Sequence, residues 1–127
     1  MNSVKDALIA YAKMMNTLDS TEFELLLEDN FSYESQIVMK PINGKKEFIE
    51  YIRPKLRIIK ISNAVIFAEL AELNAYGQKD CVLIAQNDKN NLVATVYAKV
   101  NGSKIIRLDM CTVPDPRSAL RTGIYPI

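Results

Sequence analysis

The spacing of apolar residues changes along the chain from a helical period to an alternating one, which predicts helices first and strands afterwards. Near the start, one set of apolar residues recurs at helical spacing: Val4, Leu8, Tyr11, Met15 and Leu18. Ser3-x-x-Asp6 precedes this run and is typical of a helix N-terminus. Thr21-x-x-Glu24 has the form of a second capping box and predicts a short helix over about residues 22–28.

The stretch from Asn30 to Gly44 changes the period to two. Phe31, Tyr33 and Ser35 fall on one side of a predicted strand and should face the core. Glu34 falls on the opposite side. This stretch therefore predicts a half-buried strand followed by a turn.

A third helix is expected directly after the turn signal at Asn43-Gly44. Its apolar stripe consists of three residues, with Tyr51 beside them: Phe48, Ile52 and Leu56. Pro54 lies inside this pattern, and because proline lacks an N–H we expect it to kink or split the helix near Ile52 to Arg53.

Four long strand-like runs follow, over about residues 64–75, 80–86, 92–100 and 104–113. Asn101-Gly102 is a strong hairpin signal between the last two runs. The run from Val82 to Ala85 is apolar on both faces, which predicts helices on one side of the sheet and another protein surface on the other. Helices followed by an antiparallel sheet indicate the α+β class.

The domain organisation follows from these elements and from the proline-rich end of the chain. Residues 1–113 are expected to form a single domain. Residues 114–127 contain three of the five prolines and predict a C-terminal extension packed on the domain or on a dimer partner.

Composition narrows the possible functions. The 127 residues are 24% charged and 49% hydrophobic with a net charge of +1, so we expect no nucleic-acid partner. No apolar run approaches the roughly 20 residues that span a bilayer. The start lacks the order of a signal peptide, so no membrane association and a cytoplasmic location are expected.

The absence of histidine limits the chemistry further. It removes histidine-based triads, cysteine–histidine dyads and the usual zinc sites, and neither a calcium-binding loop nor a phosphate-binding glycine loop is found. We therefore expect no metal and no cofactor. Cys81 and Cys111 lie in apolar runs and are interpreted as small buried hydrophobes.

The order of elements resembles the nuclear transport factor 2-like superfamily, which includes SnoaL-like (polyketide-cyclase-like) proteins and ketosteroid isomerases. Within residues 4–113 four segments carry the resemblance: Tyr11 to Asp19, Leu26 to Ser35, Ile42 to Lys45 and Asn101 to Ile105. The resemblance implies a cystatin-like fold in which three N-terminal helices pack on a strongly curved antiparallel sheet. It also implies a conical pocket and a homodimer formed through the sheet face.

Ketosteroid isomerases provide a test of function, since they bind an enolate oxygen with a tyrosine and a protonated aspartic acid and use a second aspartate as base. In the resemblance the tyrosine corresponds to Tyr11, the base to Ser35 and the second acid to a position near Val96. A serine cannot take a proton from carbon at neutral pH without a stronger base to activate it. Ketosteroid isomerisation is therefore not expected.

Three functional hypotheses remain. The first is an uncharacterised ligand-binding domain that takes a small apolar molecule with a polar end. The conical pocket would be lined by seven residues: Tyr11, Phe31, Tyr33, Ser35, Tyr51, Val96 and Met110. The second is a cyclase-like, isomerase-like or hydrolase-like enzyme that uses Asp109 or Glu34. The third is a dimeric protein-interaction domain.

Both carboxylates also have a structural interpretation. Strand alternation points Glu34 away from the pocket, so it is interpreted as a dimer-face or solvent carboxylate rather than a catalytic one. Arg107 and Asp109 share a strand face and are either an ion pair at a sheet interface or a catalytic acid with its orienting arginine.

Overall fold

The computed structural model describes residues 3–38 and 40–127. In these ranges the α-helices are Val4–Thr17 (α1), Thr21–Glu24 (α2) and Lys45–Ile61 (α3). The strands are Leu27–Ser35 (β1), Ile42–Asn43 (β2), Ile66–Ala75 (β3), Gln78–Gln86 (β4), Leu92–Asn101 (β5), Lys104–Cys111 (β6) and Leu120–Ile124 (β7). A short 3-10 helix covers Pro116–Ser118. The strands form one sheet in the order β2-β1-β6-β5-β4-β3-β7, which confirms the α+β class.

The sheet is antiparallel except where β1 pairs with β6, and that pair is parallel. This corrects the expectation of an antiparallel sheet throughout. A parallel pair needs a long crossover, and the chain from Ser35 to Lys104 supplies one that contains α3 and four strands, β2 to β5. As a result β1 and β6 end at the same side of the sheet, where Ser35 lies opposite Met110.

The first helix begins as the sequence predicts, whereas the second is shorter. Ser3 caps α1, with its side chain 3.1 Å from the Asp6 backbone nitrogen. The predicted capping box at Thr21 does not form, because the Glu24 carboxylate instead accepts hydrogen bonds from Ser20 and from Arg53. The helix α2 ends at Glu24 instead of residue 28, and β1 starts at Leu27.

The helix α3 is continuous through Pro54, so the predicted split does not occur. Phe48, Ile52 and Leu56 are all buried on one stripe that spans the proline. Because this stripe packs into the core both before and after Pro54, tertiary contacts hold the two halves of the helix together. None of the described helices is both long enough and apolar enough to cross a bilayer.

Both faces of the sheet carry buried residues, and different parts of the chain pack on each face. The inner face packs against the helices, with Phe31 and Val96 at the centre of the main core. The outer face carries a second apolar cluster: Ala71, Cys81, Leu83, Tyr97 and Cys111. Both cysteines are free and buried, as predicted. Ala119 packs on this cluster and Pro116 is buried, so the chain's own C-terminal extension covers part of the outer face.

Candidate functional site

Five of the seven residues predicted to line the conical pocket are packed into the inner core, and one of them, Met110, also lines the cavity described below. Tyr11, Phe31, Tyr33 and Val96 are all buried there. The Tyr33 ring centroid lies 5.7 Å from that of Tyr51, which is only partly buried. Burial raises the pKa of Tyr11 and of Tyr33, with neighbouring phenols adding to both shifts, so these hydroxyls stay neutral at physiological pH.

Ser35 and Met110 lie at the strand ends where the inner core stops. The Ser35 hydroxyl oxygen is 3.1 Å from the backbone nitrogen of Ile37 and 3.2 Å from that of Val38, and it accepts both N–H groups. Ser35 therefore stabilises the turn after β1. The Tyr33 hydroxyl lies 3.7 Å from the Met110 sulfur, which links this edge to the aromatic core.

A cavity of about 480 Å³ opens at this end of β1 and β6, mainly on the outer face of the sheet. We call it the outer-face cavity, and its lining is: Glu34, Ser35, Gln36, Val38, Pro41, Tyr76, Gln78, Tyr97, Lys99, Arg107, Asp109, Met110 and Cys111. Ser35 and Met110 of the predicted pocket set and both candidate acids belong to this lining. The remaining five predicted residues do not.

A group of three charged side chains forms one part of the cavity. Arg107 Nε lies 2.9 Å from Asp109 Oδ2, and Arg107 Nη2 lies 2.8 Å from Asp109 Oδ1. The same Nη2 is 3.2 Å from Glu34 Oε2. Hydrogen bonding to Asp109 raises the pKa of Arg107, so the guanidinium remains charged. Within the described ranges, no three cysteine or acidic side chains are grouped as a metal ion would require.

Aromatic and apolar groups form the rest of the cavity. The rings of Tyr76 and Tyr97 meet edge to face with centroids 6.1 Å apart. The Tyr97 hydroxyl donates to the Leu73 carbonyl oxygen at 2.6 Å, which anchors the ring. Burial raises the pKa of Cys111 to about 11, so its thiol is neutral at physiological pH.

Gln36 joins three separate segments around the cavity. Its Oε1 accepts the backbone N–H groups of Thr112 and Val113 at 2.7 and 3.0 Å. Its Nε2 donates to the Tyr76 hydroxyl at 2.9 Å, and that hydroxyl donates in turn to the Val113 carbonyl oxygen. One side chain therefore connects the end of β1, the turn before β4 and the start of the C-terminal extension.

Sequence reasoning missed five polar or aromatic residues of the lining: Gln36, Tyr76, Gln78, Tyr97 and Lys99. Strand alternation carries a signal for two of them, because Tyr97 and Lys99 are the direct cross-strand neighbours of Asp109 and Arg107. Gln36 and Tyr76 lie 40 positions apart, and only the folded chain brings them together.

Comparison with solved structures places the fold among known ones. An NTF2-like protein of unknown function from Cytophaga hutchinsonii is 13% identical and matches with a TM-score of 0.60 over 92% of this chain and 96% of that chain. SalBIII, an epoxide hydrolase/cyclase-like enzyme with a role in pyran ring formation in the polyether salinomycin, is 16% identical, with a TM-score of 0.60 over 84% of this chain and 87% of that chain.

A third structure, an uncharacterized cystatin fold protein from Novosphingobium aromaticivorans, is 12% identical, with a TM-score of 0.55 over 83% of this chain and 97% of that chain. The protein therefore has the nuclear transport factor 2-like fold, which confirms the resemblance at the level of the fold. No protein-family model and no curated protein matches the sequence.

Proposed function

We propose that the protein is a small-ligand-binding domain and that the outer-face cavity is its site. The ligand has a largely apolar body and one polar end. The observation that carries this proposal is a cavity of about 480 Å³ that combines an ion-paired charged group with aromatic and apolar side chains. Its volume is within the range of about 300–1,000 Å³ that small-molecule sites occupy.

The charged groups support binding more than catalysis. Both Asp109 carboxylate oxygens accept from Arg107, so this acid is held as an ion-pair partner. The Cys111 thiol, with its pKa raised to about 11, is not an activated nucleophile. The chain has no histidine that could act as a general base beside these groups. Both candidate acids line the cavity, but each contacts the Arg107 guanidinium, so their contacts favour binding over catalysis.

The proposal retains the predicted class of ligand and changes the position of the site. The conical space that was expected to hold the ligand contains packed rings, with Phe48 4.9 Å from Phe31 and 5.6 Å from Tyr33 between centroids. Filling this space with aromatic side chains stabilises the core. The outer-face cavity, by contrast, keeps both polar and apolar groups at its surface.

The test uses a matched pair of variants. Val38 lines the cavity and Val65 does not, yet their exposed fractions are 49% and 48%. We expect compounds with a cyclohexyl or phenyl body and one polar end to raise the melting temperature of the wild type. A ligand at 100 times its Kd stabilises a folded protein by about 2.7 kcal/mol. Val38→Asp should abolish this shift, and Val65→Asp should retain it.

Backbone amide chemical shifts measured in the same titration locate the ligand. Changes centred on residues 36–38 and 109–111 are expected. A broad panel that never raises the melting temperature of the wild type would count against the proposal. Binding that is unaffected by Val38→Asp and that perturbs Tyr11 and Tyr33 would move the site to the inner core.

A further inference from the structure

We propose that Tyr76 is a gate residue of the outer-face cavity, and that hydrogen bonds between its hydroxyl and two partners, Gln36 and Val113, hold the gate closed. This inference rests on the proposed function, because a gate matters only to a site that takes a ligand. The gate would control how fast a ligand enters and leaves that site. Three features support it: the path of the Tyr76 side chain, the residues beneath it and the contacts that hold it.

The Tyr76 side chain crosses the outer face of the sheet. Its backbone lies in the turn between β3 and β4, whereas its hydroxyl is bonded just past the ends of β1 and β6. β5 lies between β4 and β6 in the sheet, and the Tyr97 ring on β5 meets the Tyr76 ring with centroids 6.1 Å apart. The side chain therefore bridges strands that line the cavity.

Two lining residues beside this bridge are almost completely buried. Tyr97 and Cys111 both line the cavity, yet their exposed fractions are 2% and 4%. Both belong to the apolar cluster on the outer face. Cys111 lies two residues before Val113, whose carbonyl oxygen accepts from the Tyr76 hydroxyl. The bridge therefore lies over the part of the cavity that Tyr97 and Cys111 line.

Hydrogen bonds at the hydroxyl hold the bridge in place. Gln36 Nε2 donates to the Tyr76 hydroxyl at 2.9 Å, and that hydroxyl donates to the Val113 carbonyl oxygen. Tyr76 is 59% exposed, so it buries little apolar surface in this position. Once the two hydrogen bonds are broken, little therefore opposes movement of the ring away from the cavity.

The backbone of Tyr76 also favours opening. Its φ is 54°, in the left-handed region that a bulky side chain seldom adopts. A strained conformation of this kind persists only where surrounding contacts hold it. The hydrogen bonds at the end of the side chain are such contacts, so their loss should release both the turn and the ring.

Thiol labelling measures the gate without a ligand. Iodoacetamide should reach Cys111 through the open cavity, but it should not reach Cys81, which is 1% exposed and lies outside the cavity lining. Burial raises the pKa of Cys111 to about 11, so the closed protein holds little reactive thiolate at pH 8. Tyr76→Phe keeps the ring and removes the hydroxyl, and it should increase the labelling rate of Cys111 about tenfold. Tyr76→Gly removes the ring and suits the positive φ, and it should increase that rate further.

Tyr51→Phe is the control, because it removes a phenol hydroxyl on α3 that accepts from Lys55 at 3.0 Å and does not line the cavity. It should leave the labelling of both cysteines unchanged. Mass spectrometry of the labelled peptides gives the two rates separately.

A Cys111 rate that is equal in Tyr76→Phe and the wild type overturns the inference, as does a Cys111 rate that Tyr76→Gly fails to increase. Cys81 labelled as fast as Cys111 would indicate unfolding or release of the C-terminal extension, and it would overturn the gate as well. These outcomes leave the proposed function standing. The expected labelling pattern in a protein that binds no compound of the ligand panel would instead support Tyr76 as the cover of the cavity and overturn the proposed function.

Discussion

At the scale of single residues, Glu69 shows how an acid can be almost completely buried in this fold. Its exposed fraction is 2%. Its carboxylate accepts hydrogen bonds from three residues of the C-terminal extension. Arg121 Nε and the Tyr125 hydroxyl lie 2.9 and 3.0 Å from Oε1, and the Gly123 backbone nitrogen lies 2.8 Å from Oε2. Burial acts to raise the pKa of Glu69, but these three donors outweigh it and the pKa lies below its usual 4.5.

This lowered pKa predicts a loss of stability in acid. The Glu69 contribution is fully present above the unfolded pKa of 4.5 and is lost as the pH falls through the lower folded value. Glu69→Gln should reduce the free energy of unfolding by about 2–3 kcal/mol at neutral pH. The difference from the wild type should shrink below the unfolded pKa. Urea denaturation across this pH range measures it.

Glu72 lies in the same strand and provides a matched control. Its carboxylate is 3.3 Å from Lys79, and both side chains are substantially exposed. Glu72→Gln should therefore change the free energy of unfolding by less than about 1 kcal/mol. A Glu69→Gln effect that is equally small at neutral pH, or that grows as the pH falls, would contradict the role assigned to Glu69.

At the scale of elements, one aromatic residue holds α3 on the sheet. Phe48 packs on four rings, with centroids 4.9 to 6.3 Å away: Phe23, Phe31, Tyr33 and Tyr51. These contacts come from α2, from β1 and from α3 itself. Phe48 fixes α3 before Pro54 and the buried Leu56 fixes it after Pro54, so the proline does not split the helix.

Removing this ring should be among the most damaging changes to the inner core. Phe48→Ala is expected to cost about 3–5 kcal/mol of unfolding free energy, because it leaves a cavity that its aromatic neighbours cannot fill. Phe67→Ala is the comparison, since Phe67 is only half-buried. Its ring packs on Tyr125, directly after β7, with the centroids 6.4 Å apart. A larger loss from Phe67→Ala than from Phe48→Ala would contradict this account.

At the scale of the whole molecule, the C-terminal extension covers part of the outer face of the sheet. The double-sided apolar run in β4 predicts a second protein surface, and part of that surface is the chain itself. β7 pairs with β3, and the Asn16 side chain on α1 donates to the Pro126 carbonyl oxygen at 2.8 Å. The extension therefore spans from the outer face to the first helix. A homodimer through the sheet face stays a prediction.

Removing residues 114–127 should have two consequences. It uncovers the apolar cluster around Tyr97 and leaves the buried Glu69 without Arg121. We expect a loss of about 3–5 kcal/mol of unfolding free energy and increased self-association. Glu69→Gln should recover part of that loss in the shortened protein, although it destabilises the full chain. Urea denaturation and light scattering would show this, and a shortened protein with unchanged stability would contradict it.

The sequence by itself determined the features that depend on neighbouring positions along the chain. The change of period from helical to alternating predicted the order of elements, and alternation correctly placed Phe31 and Tyr33 inward and Glu34 outward. The cap at Ser3 was also local. Strand alternation likewise placed Arg107 and Asp109 on one face of the sheet, so part of the candidate site could be predicted.

Only the tertiary structure decided the features that depend on residues far apart in the chain. The Glu24 carboxylate accepts hydrogen bonds from Arg53 and does not form the predicted capping box. The long crossover between β1 and β6 brings these two strands together in parallel. The inner rings packed on one another, while Gln36 and Tyr76 met at the outer-face cavity. The physical reason is the same in each case: a side chain's partner is set by the chain path, and neither periodicity nor spacing records that path.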